Sequence, residues 1–318
     1  MNYESGTGYM KLLSVIVPCY NEQEVVEDFY TEFMKLIPFL DEKKIDVELL
    51  FIDDGSKDNT VKEIKRLHEK DDRVHMISFS RNFGKEAAIY AGLENSKGDY
   101  VVVMDADLQD PPALLPEMFA GIEEGYESVA TRRVNRKGEP VIRSFFAKMF
   151  YRIMRKISKA DIVDGARDYR LMTRKFVDSV LKISEYNRFT KGIFGWVGFE
   201  TKWITFENIE RQKGQTKWSF WKLLIYSIEG IVGFSTAPLA FASVVGIFFC
   251  VLAFAFLLFI FGRAMLFGDP VAGWPSTICI ILLVSGVQMF CMGIMGQYLA
   301  KTYLEVKHRP IYVVDEKI

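Results

Sequence analysis

Two long runs without a charged residue restrict most strongly how this 318-residue chain can fold. They cover 230–262 and 273–300, whereas residues 1–229 are rich in Asp, Glu, Lys and Arg. About 20 apolar residues are enough for a helix to cross the hydrocarbon core of a bilayer. A buried hairpin in a soluble protein would need a much larger core than the remaining chain offers. The sequence therefore predicts two membrane helices, at about 238–261 and 274–300.

The charges around these runs predict their orientation. The short connection between the runs contains one arginine, and the second run is followed by Lys301, Lys307, His308 and Arg309. Because Lys and Arg are enriched on the cytoplasmic side, we expect the tail and the large domain to face the cytoplasm. The protein would then be a multi-pass protein of the cell membrane. The segment 216–234 contains two tryptophans, and we expect it to lie in the membrane plane.

Upstream of these runs, apolar β-branched segments alternate with helix-forming segments. Strands are predicted at 12–18, 47–52, 74–79, 100–104 and 129–132, and helices at 23–36, 60–68 and 85–93. Asn21 is the predicted cap of the first helix. This alternation predicts an α/β fold with a doubly wound, mainly parallel sheet. Ligands of such sheets bind beyond the carboxyl ends of the strands.

The strand at 100–104 ends in Asp105 and Asp107. Burying carboxylates costs several kcal/mol unless a cation or hydrogen-bond donors compensate them. The pair therefore indicates a hard metal ion and its anionic substrate. A solvated turn closed by Pro111 and Pro112 is the alternative, and the D-x-D pattern alone does not separate the two.

Several other classes of protein lack their signatures here. No G-x-G-x-x-G follows the first strand, and no G-x-x-x-x-G-K-[ST] occurs in the chain. The four cysteines form no C-x-x-C pair, which disfavours a zinc site or a disulfide framework. A formal net charge of −1 gives no signal for nucleic-acid binding. A nucleotide site built from carboxylates and a metal remains.

Six ordered motifs resemble those of family 2 glycosyltransferases, which have the GT-A fold. They are Val-Pro-Cys-Tyr-Asn-Glu (17–22), Asp-Asp-Gly-Ser-Lys-Asp-Asn-Thr (53–60), Asn-Phe-Gly-Lys (82–85), Asp-Ala-Asp-Leu-Gln-Asp-Pro-Pro (105–112), Asp-Tyr-Arg-Leu-Met (168–172) and Arg-Gln-Lys-Gly-Gln-Thr-Lys-Trp (211–218). With the two C-terminal spans, the chain resembles polyprenyl-phosphate glycosyltransferases, relatives of dolichol-phosphate mannose synthase. It is most similar to the bactoprenol (undecaprenyl-phosphate) glucosyltransferases.

The resemblance implies three regions and a role for each motif. A cytosolic, Rossmann-like GT-A domain would cover 1–215, the interfacial segment 216–234, and a membrane domain with a short cytosolic tail 235–318. The nucleotide-sugar pocket would be lined by Pro18, Tyr20, Asn21, Glu22, Asp53, Asp54, Lys85, Asp105, Ala106 and Asp107. Mg²⁺ or Mn²⁺ would be held against the donor diphosphate by Asp105, Asp107 and Gln109.

Cations and one more carboxylate complete the site that the resemblance implies. The phosphate groups of donor and acceptor would be bound by Arg132, Arg211 and Lys217, although Arg132 equally fits a mobile basic loop. Asp168 would be the general base. Chemistry leaves this role open, because a phosphate monoester has a second pKa near 6 and needs little deprotonation. Asp168 could instead position the acceptor, bind metal or cap a helix.

The segment 143–159 is basic and amphipathic, which is typical of a membrane surface or of a contact between subunits. The sequence does not separate these two interpretations. The resemblance favours a homo-oligomer, with a tetramer as one form.

The expected function is transfer of a hexose, glucose from UDP-glucose, to undecaprenyl phosphate at the cytoplasmic face of the membrane, with inversion. A flippase and a second transferase would then use the product in cell-wall or surface polymers. N-acetylglucosamine, mannose or an aminoarabinose derivative are the alternative sugars. A processive synthase would carry a Q-x-x-R-W motif, which this chain lacks. A catalytically silent scaffold is the alternative from another class of protein, and the joint presence of Asp105, Asp107, Asp168 and Arg211 argues against it.

Overall fold

The computed structural model describes residues 11–133, 163, 165–206, 231–233, 235–267 and 273–318. Its strands are β1 (Lys11–Cys19), β2 (Ile45–Asp53), β3 (Val74–Phe79), β4 (Tyr100–Val103), β5 (Ser128–Arg133), β6 (Ala166–Thr173), β7 (Thr201–Phe206) and β8 (Val314–Lys317). Its helices are α1 (Val26–Met34), α2 (Ile37–Glu42), α3 (Thr60–His68), α4 (Lys85–Asn95), α5 (Leu115–Glu123), α6 (Arg174–Leu181), α7 (Thr190–Trp196), α8 (Ala237–Phe267) and α9 (Trp274–Val306).

The strands form one mixed sheet in the order β7-β5-β6-β4-β1-β2-β3-β8. Strands β4, β1, β2 and β3 are parallel, as are β5 and β7, whereas β6 runs antiparallel to both β4 and β5. The predicted α/β class and the mainly parallel centre of the sheet are therefore confirmed. The antiparallel β6 brings its first residues to the edge at which β4 ends.

Helices cover both faces of the sheet, which explains why the central strands are apolar without alternation. One face buries Phe29, Phe33 and Phe51, and the other buries Ile16 and Phe176 with the α4 side chains. Helix α4 approaches β1 closely at a glycine. A Cβ atom added to Gly92 would lie 2.2 Å from Cγ2 of Ile16.

The predicted helix cap at Asn21 is wrong. Helix α1 begins only at Val26, and Asn21 adopts a left-handed backbone conformation with a φ of 55°. Its side chain accepts a hydrogen bond from the backbone N–H of Lys57 at 2.8 Å. Asn21 therefore connects the loop after β1 to the loop after β2, instead of starting a helix.

Helices α8 and α9 are long and apolar enough to cross a membrane. They extend beyond the predicted ends, to Phe267 and Val306. Large side chains on both helices are exposed, such as Val251 at 65% and Leu299 at 70%. These helices are therefore not the core of a soluble domain, and so much exposed apolar surface requires a partner other than water.

The C-terminal tail returns to the sheet, a feature that the sequence interpretation did not include. Strand β8 pairs antiparallel with β3, and the backbones of Met76 and Ile318 exchange two hydrogen bonds of 3.1 and 3.0 Å. Near the end of α9, the Glu305 carboxylate accepts hydrogen bonds from the backbone N–H groups of Tyr186 at 3.0 Å and Asn187 at 3.1 Å. The apolar hairpin is thus tied to the α/β domain after its second helix.

Some predictions fall on residues outside the described ranges. They are the amphipathic segment 143–159, Arg211, Lys217 and most of the interfacial segment 216–234.

Candidate active site

The centre of the site lies where β4 ends beside the start of β6. The antiparallel register pairs Val103 with Arg170. Asp105 lies two residues after Val103 and Asp168 two residues before Arg170, so in this antiparallel pair they approach each other across the edge. Each side chain is only 19% exposed.

Lys85, the first residue of α4, joins these two carboxylates. Its Nζ lies 2.7 Å from Oδ1 of Asp105 and 2.6 Å from Oδ2 of Asp168. Burial opposes the charge of the ammonium group, but the two carboxylates outweigh burial and raise the pKa of Lys85. The structure thus brings together three residues that the sequence predicted from three separate motifs.

Asp168 is held in its ionised form. Burial favours the neutral acid, but Lys191, Lys85 and Arg167 outweigh this effect and lower the pKa of Asp168. Lys191, in α7, approaches Oδ1 of Asp168 to 3.5 Å. A carboxylate with so low a pKa is a weak base, so the arrangement favours electrostatic positioning over proton abstraction.

A second ion pair supports the loop after β4. Nε of Arg167 donates to the buried Asp110 at 2.8 Å, and its Nη2 donates to Oε1 of Gln109 at 3.3 Å. The neighbouring carboxylate Asp107 accepts a hydrogen bond from the backbone N–H of Gln109 at 3.1 Å. Burial raises the pKa of Asp110, although Arg167 opposes that shift.

The sequence interpretation missed the roles of Arg167, Asp110 and Lys191. Asp110 lies inside a quoted motif and Arg167 directly before one, so their position in the motifs was the available signal. Lys191 had none, because only the fold brings α7 to β6.

Asp105 and Asp107 fit a divalent ion that binds together with an anionic substrate. In the described part of the chain, no group of three or more His, Cys, Asp or Glu side chains is arranged to hold a metal ion. Asp105 and Asp107 nevertheless present two half-buried carboxylates in one turn. Mg²⁺ usually takes one or two protein carboxylates and completes its shell with phosphate oxygens and water. Asp105 already contacts the Lys85 ammonium, whereas Gln109 contacts Arg167.

Asp53 and Asp54, at the end of β2, are almost completely buried, with exposures of 1% and 3%. Asp53 accepts hydrogen bonds from the Ser78 hydroxyl at 2.7 Å and from the backbone N–H of Ser56 at 3.2 Å. Asp54 accepts from the backbone N–H groups of Phe83 at 2.6 Å and Gly84 at 2.9 Å. Burial raises the pKa of Asp54 to about 6. The bonds to Asp54 fix the loop that leads into Lys85.

The remaining predicted residues line the same edge of the sheet. Pro18 in β1 is half-buried, as are Tyr20, Asn21 and Glu22 in the loop that follows. This loop contacts the loop after β2: the backbone N–H of Asn21 donates to Ser56 Oγ at 2.8 Å. Ala106 is buried between the two aspartates of the D-x-D pair. Arg132 is exposed near the end of β5, where the register pairs it with Ala166 of β6.

Comparison with known proteins identifies the class. Residues 14–181 match the family model described as Glycosyl transferase family 2. The chain belongs to this family and is a glycosyltransferase, and its α/β domain is the GT-A fold that the motifs predicted.

Several relatives match over nearly the full length. The Bactoprenol glucosyl transferase of Shigella phage SfV is 38% identical over 308 residues, which is 96% of this chain and 98% of that protein. The Prophage bactoprenol glucosyl transferase homolog of Escherichia coli (strain K12) is 37% identical over 95% of this chain and 98% of its own. CsbB of Bacillus subtilis (strain 168), provisionally named a glycosyltransferase, is 43% identical over 96% of this chain and 92% of its own.

Proposed function

We propose that this protein transfers glucose from UDP-glucose to undecaprenyl phosphate at the cytoplasmic face of the cell membrane. The observation that carries the proposal is the cluster of Lys85, Asp105 and Asp168 at the strand ends of a family 2 domain that continues into an apolar hairpin. The names of the bactoprenol glucosyl transferase relatives support the lipid acceptor and the sugar.

On this proposal the nucleotide lies over the ends of β1, β2 and β4, against Pro18, Tyr20, Asn21 and Glu22, and the buried Asp53 shapes the pocket through the loop after β2. Asp54 shapes the pocket through the loop that precedes Lys85, and Ala106 forms its floor. Asp105 and Asp107, with Gln109 beside them, would hold Mg²⁺ or Mn²⁺. When bound, the ion would neutralise the diphosphate of the departing UDP. Lys85 supplies a further positive charge at the same place.

The acceptor phosphate is already ionised near neutral pH. One of its oxygens attacks the anomeric carbon, the bond from that carbon to the UDP oxygen breaks, and the configuration inverts. Asp168, kept ionised by Lys85 and Lys191, orients these cations and needs to accept no proton. Arg132, with Arg211 and Lys217, is proposed to bind the phosphate groups.

The hairpin of α8 and α9 is proposed to anchor the domain in the bilayer, where the lipid acceptor is located. Strand β8 belongs to the same sheet as β1, so the chain before α8 and the chain after α9 lie on the same side of any bilayer. An even number of crossings satisfies this condition. The cytoplasmic location, the homo-oligomer and the downstream flippase and transferase belong to the same proposal.

The deciding experiment supplies membranes containing the protein with undecaprenyl phosphate and a panel of radiolabelled sugar nucleotides. UDP-glucose should label the lipid fraction, whereas UDP-N-acetylglucosamine, GDP-mannose and an aminoarabinose donor should not. The control is a membrane preparation with the Asp107→Ala variant. Labelling from another donor alone would change the sugar, and the absence of labelling from every donor would reject the activity.

A second experiment tests the nucleophile. Short-chain prenyl phosphates should be glycosylated in solution, and prenyl alcohols of the same length should not, because only the phosphate is ionised at neutral pH. Comparable rates with the alcohol would show that another group attacks and that a base is required.

A further inference from the structure

A separate cavity of about 310 Å³ lies beside the active site, between β6, α7 and β7. Its polar walls are formed by Arg167, Arg170, Lys191 and Glu200, and its apolar walls include Phe194 and Trp203. The volume is at the lower end of small-molecule pockets in proteins. Of the quoted motifs, only Asp-Tyr-Arg-Leu-Met (168–172) contributes a residue, Arg170, to the described lining, and no role was assigned to it.

Arg170 is the unusual residue of the cavity, because it is buried to all but 5% of its surface. Its Nη1 donates to Ser128 Oγ at 2.7 Å and to Thr201 Oγ1 at 3.3 Å. Its guanidinium also lies over the rings of Phe194, at 4.7 Å, and Trp203, at 5.5 Å. These neighbours are all uncharged, so they stabilise the cation without neutralising it.

Two contacts of Arg170 remain open. Within the described residues, its buried Nε has no hydrogen-bond acceptor and no carboxylate forms an ion pair with its guanidinium. A buried charge without a counter-ion costs several kcal/mol, and a buried N–H without an acceptor adds to that cost. An anion in the cavity would supply the missing counter-ion.

The other charges of the cavity also favour an anion. Lys191 and Arg167 add two cations, although each already contacts a carboxylate, Asp168 and Asp110 respectively. Glu200 is the only carboxylate among the described lining residues, and it is exposed. Guanidinium groups bind the oxygens of phosphate with particular strength, because two N–H groups can donate in parallel.

We propose that this cavity is a binding site for a phosphate group, supplied either by inorganic phosphate or by a larger phosphorylated molecule. Arg170 would supply the charge of its guanidinium, and Lys191 would contact the phosphate from α7. Because Lys191 also contacts Asp168, an occupied cavity would change the charge balance of the active site. The proposal does not depend on the identity of the donor or acceptor of the glycosyl transfer.

The test is a calorimetric titration of the full-length protein in detergent micelles with inorganic phosphate, in the presence of UDP and Mg²⁺ to fill the donor site. We expect saturable binding that Arg170→Met weakens at least tenfold. The matched control is Lys202→Met, which removes a cation from β7 between Thr201 and Trp203 but outside the cavity, where it pairs with Glu124. This control should bind phosphate as the wild type does.

Lys191→Met provides a second variant if Arg170→Met does not fold, because Lys191 is only half-buried and its loss leaves no buried charge unpaired. It should weaken phosphate binding at least fivefold. The proposal is overturned if the wild type shows no saturable binding, or if a folded Arg170→Met or Lys191→Met variant binds phosphate as the wild type does. A protein without transferase activity would still give this binding result.

A competition titration identifies the source of the phosphate. If a short-chain prenyl phosphate displaces inorganic phosphate from the wild type, the site takes a lipid phosphate. If both bind together, it takes free phosphate or a soluble phosphorylated molecule. Either result supports a phosphate site, provided that Arg170→Met weakens phosphate binding at least tenfold.

Discussion

Two pairs of aspartates lie at the ends of two parallel strands, β2 and β4, at the same edge of the sheet, and they are used differently. Asp53 and Asp54 after β2 are 1% and 3% exposed, and uncharged backbone and side-chain groups donate to them. Asp105 after β4 is 19% exposed and contacts an ammonium group, and Asp107 is half-buried. The first pair, called the closed pair below, is shielded by the protein. The second pair, called the open pair, remains accessible to a cation and its substrate.

The closed pair positions a residue that contacts the open pair. Asp54 accepts a hydrogen bond from the backbone N–H of Gly84, the residue directly before Lys85. Gly84 has a φ of 100°, a backbone conformation that favours glycine. The turn at Gly84 therefore positions Lys85 against Asp105 and Asp168. Acidic residues at strand ends thus divide into those that shape the loops and those that meet the ligand, and burial with neutral donors distinguishes the first group.

The largest effect should come from the open pair. Asp107→Asn removes one proposed ligand of the metal ion, so transfer should fall by about 100-fold or more, while the melting temperature stays near that of the wild type. Radiolabelled transfer and thermal unfolding measure the two quantities. Asp72→Asn, an exposed aspartate before β3, is the control and should change neither. Near-normal turnover of the Asp107 variant with a divalent ion present would remove Asp107 from the site.

Lys85→Met tests the cation that joins the carboxylates. Transfer should fall about tenfold or more, because Asp105 and Asp168 then face each other without the ammonium. The loss should grow at low pH. In the wild type Lys191 and Lys85 keep the pKa of Asp168 low, so protonation of Asp168 does not reduce activity at the acid end of the pH profile. Without Lys85 the pKa of Asp168 rises, and activity is lost as pH falls through the new value.

The measurement is kcat/KM between pH 5 and 8 for the wild type and the Lys85 variant. Lys175→Met, which breaks an exposed pair with Glu127, is the control and should keep the wild-type profile. A loss of the same factor at every pH would show that Lys85 acts on the donor alone and not through Asp168.

Local patterns predicted most of the sheet, because each central strand is a continuous apolar run bounded by polar residues. Strand β3 and helix α3 occur at the residues predicted, Val74–Phe79 and Thr60–His68. Strand β8 was missed, since Val-Asp-Glu-Lys has no apolar run and is a strand only because β3 offers a free edge. Asn21 was misassigned because its bond to Lys57 depends on a second loop.

The site was predictable to the extent that its residues lie in short motifs. Asp105, Asp168 and Lys85 come together as expected. The D-x-D and D-D patterns gave no means of telling an open pair from a closed one, because burial depends on the loops that cover each strand end. Lys191 and Arg170 acquire their significance only from the packing of α7 on β6.

Asp54→Asn tests the closed pair through the pH dependence of stability. The pKa of Asp54 is about 6 in the folded protein, against an ordinary value of 3.8, so the folded state binds this proton more tightly than the unfolded state does. The contribution of Asp54 to stability is therefore greatest below pH 4 and decreases as pH rises towards 6. A shift of about two units corresponds to about 3 kcal/mol at most.

The free energy of unfolding of the wild type, relative to the Asn variant, should therefore decrease by about 2–3 kcal/mol between pH 4 and pH 7. Thermal unfolding of both proteins over this range measures the difference. Asp72→Asn again serves as the control and should follow the wild type. Parallel curves for the wild type and Asp54→Asn would mean that Asp54 is as solvated as an ordinary carboxylate, and the contrast between the two pairs would be lost.

The smallest effect should follow from Ser78→Ala, which removes one donor from Asp53. Loss of one hydrogen bond to a buried carboxylate should lower the free energy of unfolding by about 1.5 kcal/mol. The donor KM should stay within about twofold of the wild type, because the backbone N–H of Ser56 still orients Asp53 and that bond is independent of residue 78. Thr131→Val, which removes a buried hydroxyl bonded to a backbone carbonyl far from Asp53, is a control for the stability loss alone. A large rise in KM with unchanged stability would show that the Ser78 hydroxyl aims Asp53 at the nucleotide, and Asp53 would then belong with the open pair.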